Sequence, residues 1–359
     1  MVRNKSLVFA NVPVGYPVPG KDLVVKESEL DLNSVPEGGV ILKNLYVSFD
    51  PYLRGRMRDA SIPSYTPAFP LGSVVVNDGV SEVVKSANPD FKEGELVVGH
   101  VGMENYSVFP KEKVSGLRKL NNTYNLPLSN YLSALGMPGL TAYSSFYQIG
   151  RPKKGETIFI SAASGAVGQI AGQLAKREGL KVIGSVGSDA KVDYIKNELK
   201  FDGAFNYKKT TNAEALKKIA PNGINIYFEN VGGEALEAAL DAANDHSRFI
   251  MCGMIAYYNV KSRDEMYLPA NLMNIVSKRI KMEGFIVYDP DFGPKYAKEH
   301  HENVSKWLAN GELIVKETVT EGVENAAEGF VALLQGKNFG KGNIQPAIYM
   351  RFFIANICF

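Results

Sequence analysis

"ISAASGAVGQIAGQLAKREG", residues 160–179, is the stretch from which the rest of the chain can be read. An apolar segment crosses a turn of small residues into an amphipathic helix. Val167, Ile170, Ala171, Leu174 and Ala175 fall on one face of that helix. A dinucleotide fingerprint carries glycine at three positions. Here the turn reads Ala163-Ser164-Gly165-Ala166-Val167-Gly168, with alanine first. Gly165 stands where the backbone would approach a pyrophosphate, and Gly168 where the helix would pack closely on its strand. The first position needs only a small side chain, which Ala163 supplies. A helix N-terminus adds free N–H groups and a partial positive charge. Ordinary strand–helix joints also use small residues, so the turn alone leaves a phosphate cradle and a bare tight turn both open.

The surroundings favour the cradle. Downstream, "KVIGSV", "GAFNY", "INIYFEN", "SRFIMCG" and "KMEGFIV" are apolar runs. Helical stretches follow "KVIGSV" ("DAKVDYIKNELK") and lie near 212–220, 233–243 and 269–279. Buried strands alternating with helices predict βαβ units and a parallel sheet. Upstream, segments 6–12, 23–30, 39–49, 70–86, 95–101 and 104–110 are short, β-branched and aromatic, with Gly and Pro between them, an all-β pattern. Strands at 314–323 and 344–350, with a helix at 324–336, are expected to return to this first unit. A chain of 359 residues exceeds one ordinary core. The expected division is a β domain of residues 1–130 with 312–359, and a doubly wound nucleotide-binding domain of residues 131–311.

The second strand of a dinucleotide fold ends near the cofactor's ribose, where Asp or Glu selects NAD. Here it ends "VGSDAK": Gly187 and Ser188 form the tip, and Lys191 follows one turn later. A small polar tip with a lysine suits a 2′-phosphate, so NADPH is the expected cofactor. Against this, Lys191 reads equally as a solvated helix lysine. Asp189 would suit NAD, or simply start a helix.

Composition narrows the partners. Net charge +2 gives no one-signed field, so neither nucleic acid nor a membrane surface is expected. No apolar run approaches the ~20 residues of a membrane span. The N-terminal apolar run is too short for a signal peptide, and Cys358 is misplaced for a prenylation box. Two cysteines, Cys252 and Cys358, fit a reducing, cytoplasmic setting. Together with His100, His246, His300 and His301 they do not make a zinc ligand set. No metal is expected, His300-His301 is read as a helix surface pair, and Cys252 as a small buried residue. Hydride transfer to an activated acceptor, an enone or quinone, is then favoured over alcohol oxidation.

Several ordered segments carry a family resemblance: "LKNLYVSFDPYLRGRM" (42–57), "SALGMPGLTAYSSF" (133–146), "ASGAVGQIAGQLAK" (163–176), "FENVGG" (228–233), "MCGMIAYYN" (251–259), "GFIV" (284–287) and "GKNFGKG" (336–342). The chain resembles the zinc-independent medium-chain dehydrogenases/reductases, in the leukotriene B4 dehydrogenase, prostaglandin reductase and plant alkenal double-bond reductase group. The resemblance implies a GroES-like β domain plus a Rossmann domain, and a homodimer joined at the Rossmann sheet edge. It implies a pyrophosphate loop at Gly165, Ala166, Val167 and Gly168, with Lys191 and Tyr207 at the adenosine end. It also implies cofactor contacts from Asn230, from Cys252 and Gly253 through Tyr258, from the backbone of Phe285, Ile286 and Val287, and from Asn338. The ending "GNIQPAIYMRFFIANICF" departs from the valine-rich strand the group would have.

Reducing a conjugated C=C bond needs a donor to the carbonyl oxygen as enolate charge builds, worth roughly 3–4 kcal/mol. A tyrosine is such a donor at neutral pH. Of 18 tyrosines, two are candidates. Tyr258 follows a strand end on the carboxyl side of the sheet, where ligands bind in open α/β folds. Tyr52, in "DPYLRGRM", could face the site from the β domain. The resemblance assigns Tyr258 as donor or as ribose/substrate positioner, and Tyr52 to the substrate pocket. Arg54 and Arg56 are expected to make structural ion pairs. The expected activity is NADPH-dependent reduction of α,β-unsaturated aldehydes or ketones. The rivals are a quinone or carbonyl reductase on the same scaffold and a non-catalytic NADPH-binding protein. Loops near 57–70 and 258–268 are expected to shape the pocket.

Overall fold

Ile158, Phe159 and Ile160 are completely buried, although successive strand side chains point to opposite faces. Both faces of this strand are therefore covered, as a parallel sheet between helix layers requires. The computed structural model describes residues 1–346. Its strands in chain order are β1 (Val2–Phe9), β2 (Leu23–Leu30), β3 (Val40–Phe49), β4 (Val76–Ser86), β5 (Leu96–Gly102), β6 (Tyr106–Phe109) and β7 (Arg118–Lys119). There follow β8 (Thr157–Ile160), β9 (Lys181–Val186), β10 (Gly203–Asn206), β11 (Ile224–Glu229), β12 (Ala243–Met251), β13 (Lys281–Gly284), β14 (Glu317–Glu321) and β15 (Lys341–Gln345).

The central six strands form one parallel sheet in the order β10-β9-β8-β11-β12-β13. Counted from β8, this is the 3-2-1-4-5-6 order of the dinucleotide-binding fold. The order reverses between β8 and β11, and the carboxyl ends of the flanking strands open a crevice there. Ile158 and Ile160 pack on one side with Ile170, Leu174, Ile226 and Phe228. Phe159 packs on the other side with Tyr227, Phe249 and Leu240. Phe159 stacks on Tyr227 with ring centroids 5.1 Å apart.

The second sheet runs β14-β15-β3-β4-β5-β7, with β6 pairing β3. β15 lies antiparallel to β3, with Gly342 opposite Phe49, and β14 lies parallel to β15. The C-terminal helix Ala326–Leu334 adds Phe330 to this core, 6.0 Å from the ring of Phe49. β1 and β2 form a separate antiparallel pair.

Several details differ from the sequence reading. His300-His301 do lie on a helix, the long Gly293–Ala309, whose mostly polar sequence suggests a surface position for both. It turns His300 inward: the ring is 2% exposed and its Nε2 lies 2.8 Å from the Ala134 carbonyl, so His300 is no surface residue. Arg54 is structural, but through carbonyls rather than ion pairs; its guanidinium donates to Pro13 and Gly15. Arg56 lies over the Phe69 ring at 4.0 Å and donates to the Pro67 carbonyl. The strand expected over 70–86 begins at Val76, and the one expected over 281–287 ends at Gly284. Of the strand expected at 344–350, residues 347–350 lie outside the described residues; the strand described there spans Lys341–Gln345. Cys358 and the rest of the expected C-terminal tail lie outside the described residues.

Candidate active site

A cavity of about 820 Å³ lies where the parallel sheet reverses, bounded on the far side by the β3–β4 sheet. Four strand ends feed it. β8 leads into Ala162–Gly168, β9 into Gly187 and Lys191, β11 into Asn230–Gly233, and β12 into Cys252–Tyr258. Gly165, Ala166, Val167 and Gly168 line it. So do Lys191, Tyr207, Asn230, Cys252, Gly253, Tyr258, Phe285, Ile286, Val287, Asn338 and Tyr52. Ser188 does not border the cavity; its hydroxyl caps the following helix by accepting from the Lys191 N–H. Gly187 takes the place at the tip. A Cβ there would come within 2.9 Å of the Tyr207 hydroxyl.

The glycine turn has its own logic. Ala162, not a glycine, adopts the left-handed conformation, with φ +50°, and its carbonyl accepts from the Gly165 N–H at 2.9 Å. Ala163 fits in first position because its neighbour on β9 is Gly184, where a Cβ would lie 2.6 Å from the Ala163 methyl. At Gly168 a Cβ would stand 2.5 Å from the Ala162 carbonyl oxygen, so the helix Gly168–Arg177 can sit this close only on glycine. At Gly165 the closest contact would be 3.1 Å, a milder restriction.

At one end of the cavity, Lys191 is a nearly buried cation, 9% exposed. Its ammonium donates to the Gly336 carbonyl at 2.7 Å, and no carboxylate pairs with it among the described residues. Burial and, secondarily, Lys208 lower its affinity for a proton. Asp189, the acid that would have argued for NAD, faces elsewhere, accepting from Asn206 and pairing with Lys209 outside the cavity. A buried ammonium lacking a counter-charge is costly. A phosphate beside it would relieve that cost, so the residues fit a 2′-phosphorylated dinucleotide: glycine turn, side-chain-free tip and unpaired cation.

At the other end lie tyrosines from both sheets. Tyr52 is anchored, its hydroxyl donating to Asn77 Oδ1 at 2.7 Å. Asn77 Nδ2 in turn donates to Asp50 Oδ2 at 2.8 Å, and Asp50 Oδ1 meets the buried Lys341 ammonium at 2.8 Å. Burial, then Asp50 and Asp78, raises the Tyr52 phenol above its ordinary range. Tyr258 has no such commitment. The Met254 amide faces its oxygen, and among the described residues its proton has no acceptor. Burial, then Tyr65 and Cys252, pushes its pKa up to about 12, so it is a protonated donor across the neutral range. Gly253 leaves room for it: a Cβ there would be 3.2 Å from the Tyr258 hydroxyl.

Cys252 is half-buried, packed against the core on one side and lining the cavity on the other; burial and then Glu229 push its thiol up to about 12. Asn230 donates its side-chain amide to the Ser161 carbonyl at 2.8 Å. The turn after it is shaped by the buried Glu229, whose Oε1 accepts from the Val231 and Gly232 amides at 2.6 and 2.9 Å. Asn338 donates to the Gly340 carbonyl at 2.7 Å.

Tyr65, Asn259 and Tyr267 come from the loops expected to shape the pocket. The sequence reading missed Tyr16, Asp50, Asn212 and Tyr288. Tyr288, directly after Val287, and Asp50, two residues before Tyr52, carried a local signal; Tyr16 and Asn212 did not. Among the described residues no cluster of three or more His, Cys, Asp or Glu is placed to hold a metal ion.

Comparison with known proteins agrees with this geometry. Residues 5–117 match the family described as the N-terminal domain of oxidoreductase, and residues 166–306 the one described as zinc-binding dehydrogenase. The chain is 51% identical to "NADP-dependent oxidoreductase RED1" of Cochliobolus heterostrophus, over 97% of this chain and 99% of that one. It is 44% identical to "2-alkenal reductase (NADP(+)-dependent)" of Nicotiana tabacum, over 95% and 96%. Among solved structures, CurA from Vibrio vulnificus in complex with NADPH superposes with a TM-score of 0.85 at 36% identity, covering 95% of this chain and 99% of that one. A six-stranded 3-2-1-4-5-6 sheet, a second sheet closing over its switch point and near-full-length similarity converge: the chain belongs to the zinc-independent medium-chain dehydrogenase/reductase family, in the group that contains the alkenal reductases.

Proposed function

We propose that this protein reduces the C=C bond of α,β-unsaturated aldehydes or ketones with NADPH. The observation that carries this reading is the uncommitted phenol of Tyr258 in the same cavity as the unpaired ammonium of Lys191. The alkenal reductase named among the relatives supports it. In this reading Gly165–Gly168 hold the pyrophosphate, and Lys191 and Tyr207 hold the 2′-phosphate end. Asn230, Cys252, Gly253 and Phe285–Val287 border the reducing half, and Asn338 lies between the 2′-phosphate end and the pyrophosphate turn. Bound there, NADPH would supply the hydride for the β-carbon, and water or the cofactor's ribose hydroxyl the proton that completes the reduction at the α-carbon. Tyr258 donates a hydrogen bond to the substrate carbonyl oxygen and stabilises it as negative charge grows. Tyr52, whose proton is spent on Asn77, shapes the pocket wall and is no donor. Ser188 acts at one remove, by capping the helix that carries Lys191.

We further propose the division into residues 1–130 with 312–359 and residues 131–311. Two sets of buried side chains support it, one including Leu7 and Ile344, the other Ala134 and Val304; Leu313, just past the boundary, packs with the second set. A homodimer is proposed through the β13 edge, where Leu268, Leu272, Met273 and Val276 are all more than half exposed. The scarcity of cysteine supports a cytoplasmic setting. Among the described residues no helix is long and apolar enough to cross a membrane.

The test follows NADPH consumption with an enal, an enone, a quinone and a saturated ketone. Turnover of the enal and enone is expected. Tyr258→Phe should lower kcat on the enone about 100-fold or more, the usual effect of removing one such donor, while Tyr52→Phe should change it far less. Turnover of the saturated ketone or quinone alone would overturn the substrate assignment. NADPH binding with no acceptor reduced would overturn catalysis.

A further inference from the structure

Lys191 and Gly336 are 145 residues apart, yet joined at 2.7 Å. Gly336 ends the helix Ala326–Leu334, with φ +67°. Its N–H donates to the Leu333 carbonyl and the Lys337 N–H to the Ala332 carbonyl, each at 2.9 Å, the paired closure that a left-handed glycine allows. The Gly336 carbonyl then faces outward at the negative end of that helix, where a cation is favoured. Four residues on, Gly340 bridges Gly165 of the glycine turn. Between them, Phe339 packs edge-on against Tyr194 at 5.3 Å, one turn beyond Lys191. Residues 336–340, which belong to the return toward the β sheet, are thus pinned at both ends to the nucleotide-binding sheet. One pin is the proposed pyrophosphate turn and the other is the proposed 2′-phosphate lysine.

We infer that Lys191 is an interdomain latch as well as a phosphate reader: a phosphate on its ammonium tightens residues 336–340 onto the nucleotide-binding domain, so the selectivity for 2′-phosphorylated nucleotides is partly carried by that segment. This rests on the NADPH reading above. An ammonium has three N–H donors; one is spent on the Gly336 carbonyl, leaving two for an anion. An anion fixes Lys191, and a fixed Lys191 fixes the carbonyl. Linkage makes the effect reciprocal: what the phosphate contributes to ordering the segment, the ordered segment returns as phosphate affinity. Phe339, outside the cavity lining, packs on Tyr194 with its ring 5.9 Å from the Lys191 ammonium and so strengthens the latch.

The experiment uses the full chain with 2′,5′-ADP and 5′-AMP, which differ by the 2′-phosphate and lack the nicotinamide half. Calorimetry fixes saturating concentrations, and hydrogen exchange is read on peptides spanning 336–340. With 2′,5′-ADP, exchange in this segment should slow about fivefold or more relative to 5′-AMP, the low end of typical coupling between sites. In Phe339→Ala the affinity preference for 2′,5′-ADP over 5′-AMP should fall by a similar factor. If 2′,5′-ADP binds but exchange matches that with 5′-AMP, or if Phe339→Ala keeps the full preference, the latch is overturned while the cofactor reading stands. If 2′,5′-ADP does not bind at all, the cofactor reading itself fails and the latch with it.

Discussion

His300 shows how much one buried ring can decide. Its imidazole is enclosed in the helix Gly293–Ala309, with Nε2 toward the Ala134 carbonyl and the Tyr143 ring 5.6 Å away. Burial, with the nearby His301 as a minor cause, lowers its pKa from 6.5 to about 4. The folded state therefore keeps the ring neutral where the unfolded chain would protonate it. Above pH 6.5 neither state binds the proton and stability is unaffected; as pH falls from 6.5 toward 4, the unfolded state gains the proton first and stability drops. The loss should be about 1 kcal/mol by pH 5.5 and on the order of 3 kcal/mol below pH 4, at 1.36 kcal/mol per pKa unit. His300→Gln keeps a donor for Ala134 and cannot titrate. Urea unfolding of both proteins at pH 7.5, 5.5 and 4.5 should show the wild type losing stability faster, by those amounts. Parallel acid limbs would mean that the ring is protonated in the fold. None of this was visible in "EHHEN", where a polar run hides one inward position.

At the scale of the element, the turn between β8 and its helix separates two roles that the sequence assigned to different glycines. Gly168 lets the helix approach: a Cβ would strike the Ala162 oxygen at 2.5 Å and Ala163 Cα at 2.8 Å, both backbone and unable to yield cheaply. Gly165 meets only one atom, at 3.1 Å, and faces the cavity. Gly168→Ala should destabilise the protein by about 1–3 kcal/mol, the usual effect of overpacking, and lower the melting temperature by several degrees. Gly165→Ala should melt near the wild type and bind NADPH more weakly. Thermal melts paired with calorimetry separate the two, and equal melting temperatures would remove the packing argument. The spacing of these glycines was legible because strand, turn and helix are contiguous. The compensations for the missing first glycine were not: Gly184 lies on the neighbouring strand, and the left-handed residue is Ala162.

For the whole molecule, of the two edges of the parallel sheet, β10 and β13, the second stands out by the apolar side chains exposed beside it. Among the described residues β13 pairs only β12, and the short helix Met273–Ser277 before it exposes Met273 to 72% and Val276 to 71%. Exposed apolar patches of this kind mark association surfaces, and an unpaired edge strand invites another strand. The double substitution Leu272→Asp with Val276→Asp should convert the protein to a monomer in sedimentation or light scattering, with the monomer's fold retained. A wild type that sediments as a monomer would remove the dimer. At this scale the sequence could name an edge strand only after the strand order was known.

By itself the sequence determined the alternation of buried runs and helices, and with it the parallel sheet and its crevice. These depend on periodicity and on the fixed hand of βαβ connections, both local properties. It also marked Gly165 and Lys191 after their strands and, through the family resemblance, Asn230 and Cys252; a parallel sheet gathers these strand ends on one side. Only the tertiary structure decided which phenol is free and which is spoken for. Tyr52 is committed through Asn77 and Asp50 to a lysine 291 residues from Asp50, and Tyr258 is not. It alone brought Tyr16 and Tyr288 to the cavity and the Gly336 carbonyl to Lys191. Hydrogen bonds between distant segments depend on where two separately folded sheets meet, and no periodicity within either segment encodes that meeting.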